Sequence, residues 1–370
     1  MRVVWLSWKD RCHPLAGGAE KISGELMRRL AADGHDVVLI TSGYTGATAE
    51  DSIDGYRVIR VGGRYTVYWE AYKLFRAKFS DWPDIVIDEC NTMPFFAMLY
   101  ANSHSKVYLL AHQLCRSIWF YQLPMPFSLL GYCVEPLYLR LLRKTPVLTV
   151  SLSTAQDMIR FGFVRENIAV FREGLDIDRL DPSEKHKKFE RPTLLSLGSV
   201  RPMKRTIDIF LAFEIAKQTW PELQLIIAGS TTGAYGAKLL KAVESSTYRD
   251  SIQVVGPVSD AEKIELMRRS HVIAVTSVKE GWGLIVTEAA SQGTPAVAYD
   301  VDGLRDSVVD GVTGRLVKNG SPTAIAAGLL QLLANDADYQ NFRRSALEHS
   351  RQYTTDNMYA DFKSALNVAT

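Results

Sequence analysis

The sequence predicts an α/β protein of two domains with a ligand cleft between them. Three observations carry this: short runs of Val, Ile and Leu alternate with segments of helical period, the alternation lapses once near the middle, and it then starts again. A length of 370 residues agrees, because single cores stop growing at about 250 to 300 residues and longer chains divide.

Taken in order, strands are expected at Val3 to Leu6, Val37 to Thr41, Tyr56 to Val61, Ile85 to Asp88, Val107 to Ala111 and Val147 to Val150. Helices are expected from about Ala19 to Ala32 and from Phe127 to Leu142. These elements make a first domain of residues 1–173. The stretch 174–192, GLDIDRLDPSEKHKKFERP, is charged, contains Pro182 and Pro192, and reads as a linker. A second domain, 193–354, repeats the alternation with strands at Thr193 to Leu197, Leu223 to Ala228, Ile252 to Val255, Val272 to Val275 and Ala296 to Tyr299. Beyond Asn335 the pattern is helical, and a final helix at about 355–370 is assigned back to the first domain. Parallel sheets of this kind bind ligands outside the carboxyl ends of their strands, which directs attention to the loops there.

Composition narrows the function. With 43 Lys and Arg against 41 Asp and Glu, the chain lacks the basic footprint of a nucleic-acid-binding protein. Its four cysteines, Cys12, Cys90, Cys115 and Cys133, stand far apart, so neither a zinc ribbon nor a disulfide framework is indicated. The opening MRVVWLSWKD has none of the marks of a cleaved leader, and a cytoplasmic location is expected. Phe127 to Leu142 is rich in apolar residues, but Glu135 and Arg140 interrupt it and it is too short to span a bilayer. The cations of RLLRK, Arg140 to Lys144, suit either a solvated helix end or a peripheral contact at an anionic membrane face.

Two glycine-rich helix starts are candidates for anion binding. Gly17 and Gly18 lie in HPLAGGAE after the first strand, without the G-x-G-x-x-G of a dinucleotide site. Glu280-Gly-Trp-Gly-Leu-Ile-Val-Thr-Glu288 follows the strand ending at Val275; its glycines leave amides for a diphosphate and its carboxylates can accept from sugar hydroxyls. Asp176 and Asp178 have D-x-D spacing but fall in the expected linker, and no metal site is assigned. Tyr108, Trp119, Phe120 and Tyr121, with Pro124 and Pro126, are either a platform for a sugar or lipid or part of the core.

These segments, together with LLAHQ around His112, VSLSTAQDM at 150–158, GSVRPMK at 198–204 and EGWGLIVTEAASQGTPAVA at 280–298, resemble the retaining GT-B glycosyltransferases of the large family 4. The resemblance extends over nearly the whole chain. It implies two Rossmann-like domains, the first for the acceptor and the second for a nucleoside-diphosphate sugar, with metal-independent transfer to a hydroxyl and no cofactor. It places His112 and Glu280 at the transferred sugar, as the catalytic pair. Gly17, Gly18, Arg201, Lys204, Gly281, Trp282, Gly283, Leu284 and Glu288 are placed on the donor, Glu288 at the ribose and Lys204 at the diphosphate.

Two departures from the family pattern stand out. The arginine that usually follows the glycine directly is Ser199 here, with Arg201 two residues later, and Glu173 replaces an Asn. Two alternatives stay open: a nucleotide-sugar epimerase, and a catalytically silent nucleotide-sugar-binding subunit.

Overall fold

The computed structural model describes residues 1–181 and 186–368. Part of the expected linker, 182–185, and the last two residues of the expected final helix lie outside the described residues. The chain divides into two compact units, residues 1–174 with 355–370 and residues 175–354.

The first unit carries β1 (Arg2–Leu6), β2 (Asp36–Thr41), β3 (Glu50–Ile53), β4 (Tyr56–Arg60), β5 (Ile85–Glu89), β6 (Lys106–Ala111), β7 (Val147–Thr149) and β8 (Ile168–Val170). Their order in the sheet is β3-β4-β2-β1-β5-β6-β7-β8, parallel throughout except for the antiparallel β3–β4 pair. Val3, Val4, Trp5 and Leu6 are all essentially buried, because helices cover both faces of a parallel sheet and a strand inside it reads as an unbroken apolar run. The helices are α1 (Gly18–Ala32), α2 (Val67–Leu74), α3 (Trp119–Gln122), α4 (Phe127–Leu142) and α5 (Leu152–Arg160).

The second unit holds β9 (Thr193–Leu197), β10 (Gln224–Ala228), β11 (Ile252–Gly256), β12 (Val272–Val275), β13 (Ala296–Tyr299) and β14 (Gly314–Val317), ordered β11-β10-β9-β12-β13-β14 and all parallel. Around them lie α6 (Thr206–Thr219), α7 (Ala234–Ser245), α8 (Asp260–Arg269), α9 (Leu284–Ser291), α10 (Leu304–Ser307), α11 (Pro322–Leu332) and α12 (Asp336–Ser350). The described part of 174–192 is bonded to this unit from Leu175 onward. Leu180 N–H donates to Ser291 O at 3.0 Å, Phe189 N–H to Arg269 O at 2.9 Å, and half-buried Lys188 to Ser270 O and Thr294 Oγ1, each at 2.7 Å.

The helical run beyond Asn335 breaks at 351–354, and α13 (Thr355–Val368) then packs into the first unit. Phe362 stacks on Trp5 at 5.9 Å and meets Phe171 edge-on at 5.6 Å, while the Tyr108 hydroxyl donates to Leu366 O at 2.5 Å. Tyr108 is thereby a core residue. Trp119 is another, its indole N–H donating to Glu135 at 3.0 Å, which leaves Phe120 and Tyr121 as the exposed members of the expected aromatic platform.

Candidate functional site

In each sheet one strand has neighbours reached by connections in opposite senses, and the crevice beyond its carboxyl end is where open α/β sheets bind ligands. That switch lies between β9 and β12 in the second unit and between β1 and β5 in the first.

At the β9/β12 switch a pocket is lined by Gly198, Lys204, Thr206, Thr276, Ser277 and Ile285 among others. Gly198 leaves β9 with φ +127°, and Gly229 beside it has no room for a side chain, since a Cβ there would sit 2.1 Å from Gly198 O. Thr276, buried at the end of β12, donates to the carbonyls of Lys204 and Arg205 at 2.9 and 3.0 Å, fixing the loop that presents Lys204. Arg205 is held left-handed, with φ +48°, a strained state for a residue with a side chain. The Lys204 ammonium and the Ser277 hydroxyl both donate to Glu280 Oε1 at 2.5 Å, so two groups expected from separate motifs meet at one point, joined by Ser277, which the motifs do not include.

Behind Glu280, α9 begins at Gly283, whose φ of +97° and a would-be Cβ 2.9 Å from Leu304 Cδ2 both require glycine. Neither N-cap residue, Arg205 of α6 or Gly283 of α9, caps its helix with a side chain, but the Tyr235 hydroxyl accepts from Ile207 N–H of α6 at 3.2 Å, which leaves the start of α9 as the more open site for an anion. Trp282 is 8% exposed, lies 5.1 Å from the Tyr353 ring, and its indole N–H has no partner among the described residues. Gly281 and Leu284 are half-buried beside it. Glu288, a turn and a half into α9, pairs with Lys263 at 2.9 Å. Burial acts to lower the Lys263 pKa, but Glu288 and Asp260 override it and hold the ammonium above its ordinary value. Arg201 is exposed, and its guanidinium has no partner among the described residues.

In the first unit His112 follows β6 and is fully enclosed between two carboxylates, Glu89 Oε1 at 3.6 Å from Nε2 and Glu173 Oε1 at 3.4 Å from Nδ1. Burial alone would lower the imidazole pKa. The two carboxylates reverse that and raise it to about 10, so His112 is an imidazolium at neutral pH. Both ring nitrogens and Glu89 Oε1 lack a well-aligned hydrogen bond among the described residues, while Glu89 Oε2 accepts from the Trp5 indole at 2.7 Å. The sequence motifs do not include Glu89; the signal for it is a strand, IVIDE, whose apolar start gives way to two acids, Asp88 and Glu89.

Gly17 and Gly18 are exposed at the start of α1, beyond β1. Here a carboxylate already occupies an amide expected to be open: Glu20 Oε2 accepts from Gly17 N–H at 2.6 Å, and Glu20 Oε1 lies 3.1 Å from the Lys9 ammonium. Gly17 itself has φ −134°, and an added Cβ would meet only Glu20 Oε2 at 3.6 Å, so the fold makes no demand for glycine there. Asp176 and Asp178 are exposed, and among the described residues no group of three or more His, Cys, Asp or Glu could hold a metal ion.

Two family profiles match the chain: Glycosyltransferase Family 4 over residues 16–179 and Glycosyl transferases group 1 over residues 178–349. The chain is 25% identical to a glycogen synthase of Mycobacterium tuberculosis (strain ATCC 25618 / H37Rv), over 94% of this chain and 89% of the relative. It is 30% identical to a D-inositol 3-phosphate glycosyltransferase of Xylanimonas cellulosilytica, over 56% of this chain and 52% of the relative. Among solved structures, sucrose-phosphate synthase from Thermosynechococcus elongatus shares the fold with a TM-score of 0.79 at 18% identity, covering 99% of this chain and 98% of that one. Anabaena Alr3699/HepE, solved with UDP and glucose, shares it with a TM-score of 0.74 at 17% identity, covering 99% of both chains.

Proposed function

We propose, from the premise that the chain belongs to the GT-B-fold glycosyltransferase superfamily, that it moves a sugar from a nucleoside-diphosphate sugar to a hydroxyl of a saccharide, glycolipid or small molecule, with retention and without a metal ion. The convergence of Lys204, Ser277 and Glu280 at the β9/β12 switch, before the uncapped start of α9, carries this reading.

The bond from the anomeric carbon to the diphosphate oxygen breaks, and negative charge grows on the departing diphosphate. Lys204 and the amides at the start of α9 meet that charge as preorganised donors. A diphosphate competes with Glu280 for Lys204, and the carboxylate released in that exchange accepts from hydroxyls of the transferred sugar. The acceptor oxygen bonds to the anomeric carbon on the face the diphosphate leaves, and its proton passes to the departing phosphate oxygen. His112, charged and with N–H groups not fully engaged by its two carboxylates, donates to the sugar and does not act as a base. Glu288 takes the ribose, with Trp282, Gly281, Gly283 and Leu284 shaping the donor pocket and Arg201 as a second cation for the diphosphate. Gly17 and Gly18 are assigned to donor binding. We place the reaction in the cytoplasm, where the four free thiols would stay reduced.

The test is to incubate isotope-labelled nucleotide sugars with lipid and saccharide extracts, in the presence and absence of chelator. Labelled glycoside formed in both conditions is expected. Epimerised donor without glycoside would make the protein an epimerase, and tight nucleotide binding with neither product would make it a silent subunit.

A further inference from the structure

Helix α4 is apolar on two sides, set about a third of a turn apart. Its inner side, with Tyr138, Leu139 and Leu142, is buried in the core of the first unit. Along its outer side Phe127, Leu130, Val134, Leu137 and Leu141 recur at steps of three and four; four of them are 59–63% exposed and Val134 is 38% exposed. A continuous apolar stripe in water is a contact surface awaiting an apolar partner.

Charge identifies that partner. Between Arg116 and Arg165 the acids are Glu135 and Asp157, and both are buried. Glu135 is consumed inside the fold, accepting from Cys115 N–H at 2.8 Å, Arg116 N–H at 2.7 Å and the Trp119 indole. Arg140, Arg143 and Lys144, at the carboxyl end of the stripe, are exposed and make no ion pair among the described residues. This segment thus combines outward apolar side chains with cations and exposes no acid of its own. A second copy pairing two-fold through this same face would leave the cations at the two ends of the stripe with no carboxylate of α4 exposed to meet them. An anionic bilayer supplies both missing complements, since acyl chains accept the stripe and headgroups pair with the cations. At 16 residues, roughly 24 Å, α4 suits lying along the interface.

We infer that the outer face of α4 is a membrane-docking surface, its stripe entering the headgroup and acyl boundary of an anionic leaflet while Arg140, Arg143 and Lys144 hold the headgroups. This inference stands on the surface of the first unit and not on glycosyl transfer, and nucleoside-diphosphate affinity, measured in parallel, reports on the latter alone.

The experiment is co-sedimentation of the full chain with vesicles of phosphatidylcholine alone and of phosphatidylcholine with one third phosphatidylglycerol. Wild type should pellet with the anionic vesicles and release partly at high salt. Leu130→Ser with Leu137→Ser should weaken binding on the order of a hundredfold or more, since two leucines no longer leave water. Arg140→Gln, Arg143→Gln and Lys144→Gln should each cost roughly fivefold. Because these side chains are exposed, melting temperature and nucleotide affinity should hold. As a readout that leaves the stripe intact, a polarity-sensitive dye on exposed Cys133, in a Cys12→Ser background, should shift to the blue on anionic vesicles. Wild type left in the supernatant with an unshifted dye would overturn the inference. So would a dimer in light scattering that Leu130→Ser with Leu137→Ser dissolves, with no vesicle binding.

Discussion

The starts of α1 and α9 look alike as sequence, each a pair of glycines near an acid at the head of a helix that follows a parallel strand. They differ in where the acid goes. In α1 the carboxylate of Glu20 folds back onto Gly17 N–H, so the helix supplies its own anion. In α9 the carboxylate of Glu280 points to Lys204 and Ser277, and the helix start is left without a cap. The same composition therefore sets a carboxylate on the backbone at one helix start and on a lysine at the other. Each acid has a cation, Lys9 for Glu20 and Lys204 for Glu280; what differs is where the acid stands, Glu20 being the third residue of its helix and Glu280 lying before Gly283, outside its own.

The first way to sharpen this division is to separate its two halves kinetically. His112→Ala should lower kcat by on the order of 10² to 10³, the usual cost of removing one preorganised donor, while nucleoside-diphosphate affinity stays within about twofold. Equal losses of melting temperature and activity would make His112 a purely structural residue. Glu89→Gln should reproduce part of the kcat loss, because it removes one of the charges that keep the imidazole protonated. The sign of the pH effect follows. A folded-state pKa raised to about 10 means that the stability from this cluster is fully present below the unfolded value of about 6.5 and is lost as pH rises toward 10. Denaturant melts of wild type and His112→Ala should converge in the alkaline range, and a gap that widens with rising pH would refute the imidazolium.

In the second unit the expected loss is in binding. Lys204→Ala removes a charge-assisted contact worth about 1.5 to 3 kcal/mol, or roughly 10- to 150-fold in nucleoside-diphosphate affinity by calorimetry. Arg201→Ala should lose less, because its exposed guanidinium pays rotamer entropy to reach a ligand. If the two variants lose equally, the diphosphate is clamped by both cations, despite Ser199. Gly283→Ala tests the backbone of the same site. With φ +97° and a contact under 3 Å it should cost about 1 to 3 kcal/mol of stability, seen as a lower melting temperature.

The parallel sheets were legible because their strands are buried on both faces, and a run such as Val3 to Leu6 announces itself without periodicity. What escaped notice obeys the opposite physics. β3, Glu-Asp-Ser-Ile, is an exposed antiparallel edge strand whose charges protect it from pairing with other chains, and those charges erase the apolar signal. β8 has three residues and β14 four, too short to stand out. At the site, Lys204 and Glu280 were readable through motifs, yet their direct contact depends on β9 and β12 being neighbours, a matter of topology that local spacing does not contain. Glu89 was invisible for a related reason, since its meaning comes from Trp5 and His112 on adjacent strands.

A smaller effect should divide the two glutamates of the EGWG segment. Glu280→Gln keeps the volume but gives up the charge paired with Lys204, so it should spare bare nucleoside diphosphate and weaken the whole nucleotide sugar by about tenfold. Glu288→Gln should weaken both ligands, because the ribose is common to them. Side-by-side titrations giving identical profiles for the two variants would sink the assignment of sugar to one and ribose to the other.

The smallest stability change is expected at Gly17, and it bears most directly on the contrast between the two helix starts. Its backbone lies in a region open to any residue, and a methyl group there would find ordinary van der Waals distance to Glu20 Oε2. Gly17→Ala should therefore leave the melting temperature within a degree or so, or raise it slightly by restricting the unfolded chain, where alanine has less freedom than glycine. If the glycine serves the fold alone, transfer should be equally untouched. If it serves the donor's close approach, the same methyl group stands between backbone and ligand, and KM for the nucleotide sugar should rise several-fold at constant stability. A rise in KM without a change in melting temperature would assign the first helix start to the donor despite its self-supplied cap. No change in either would confine donor binding to the second unit.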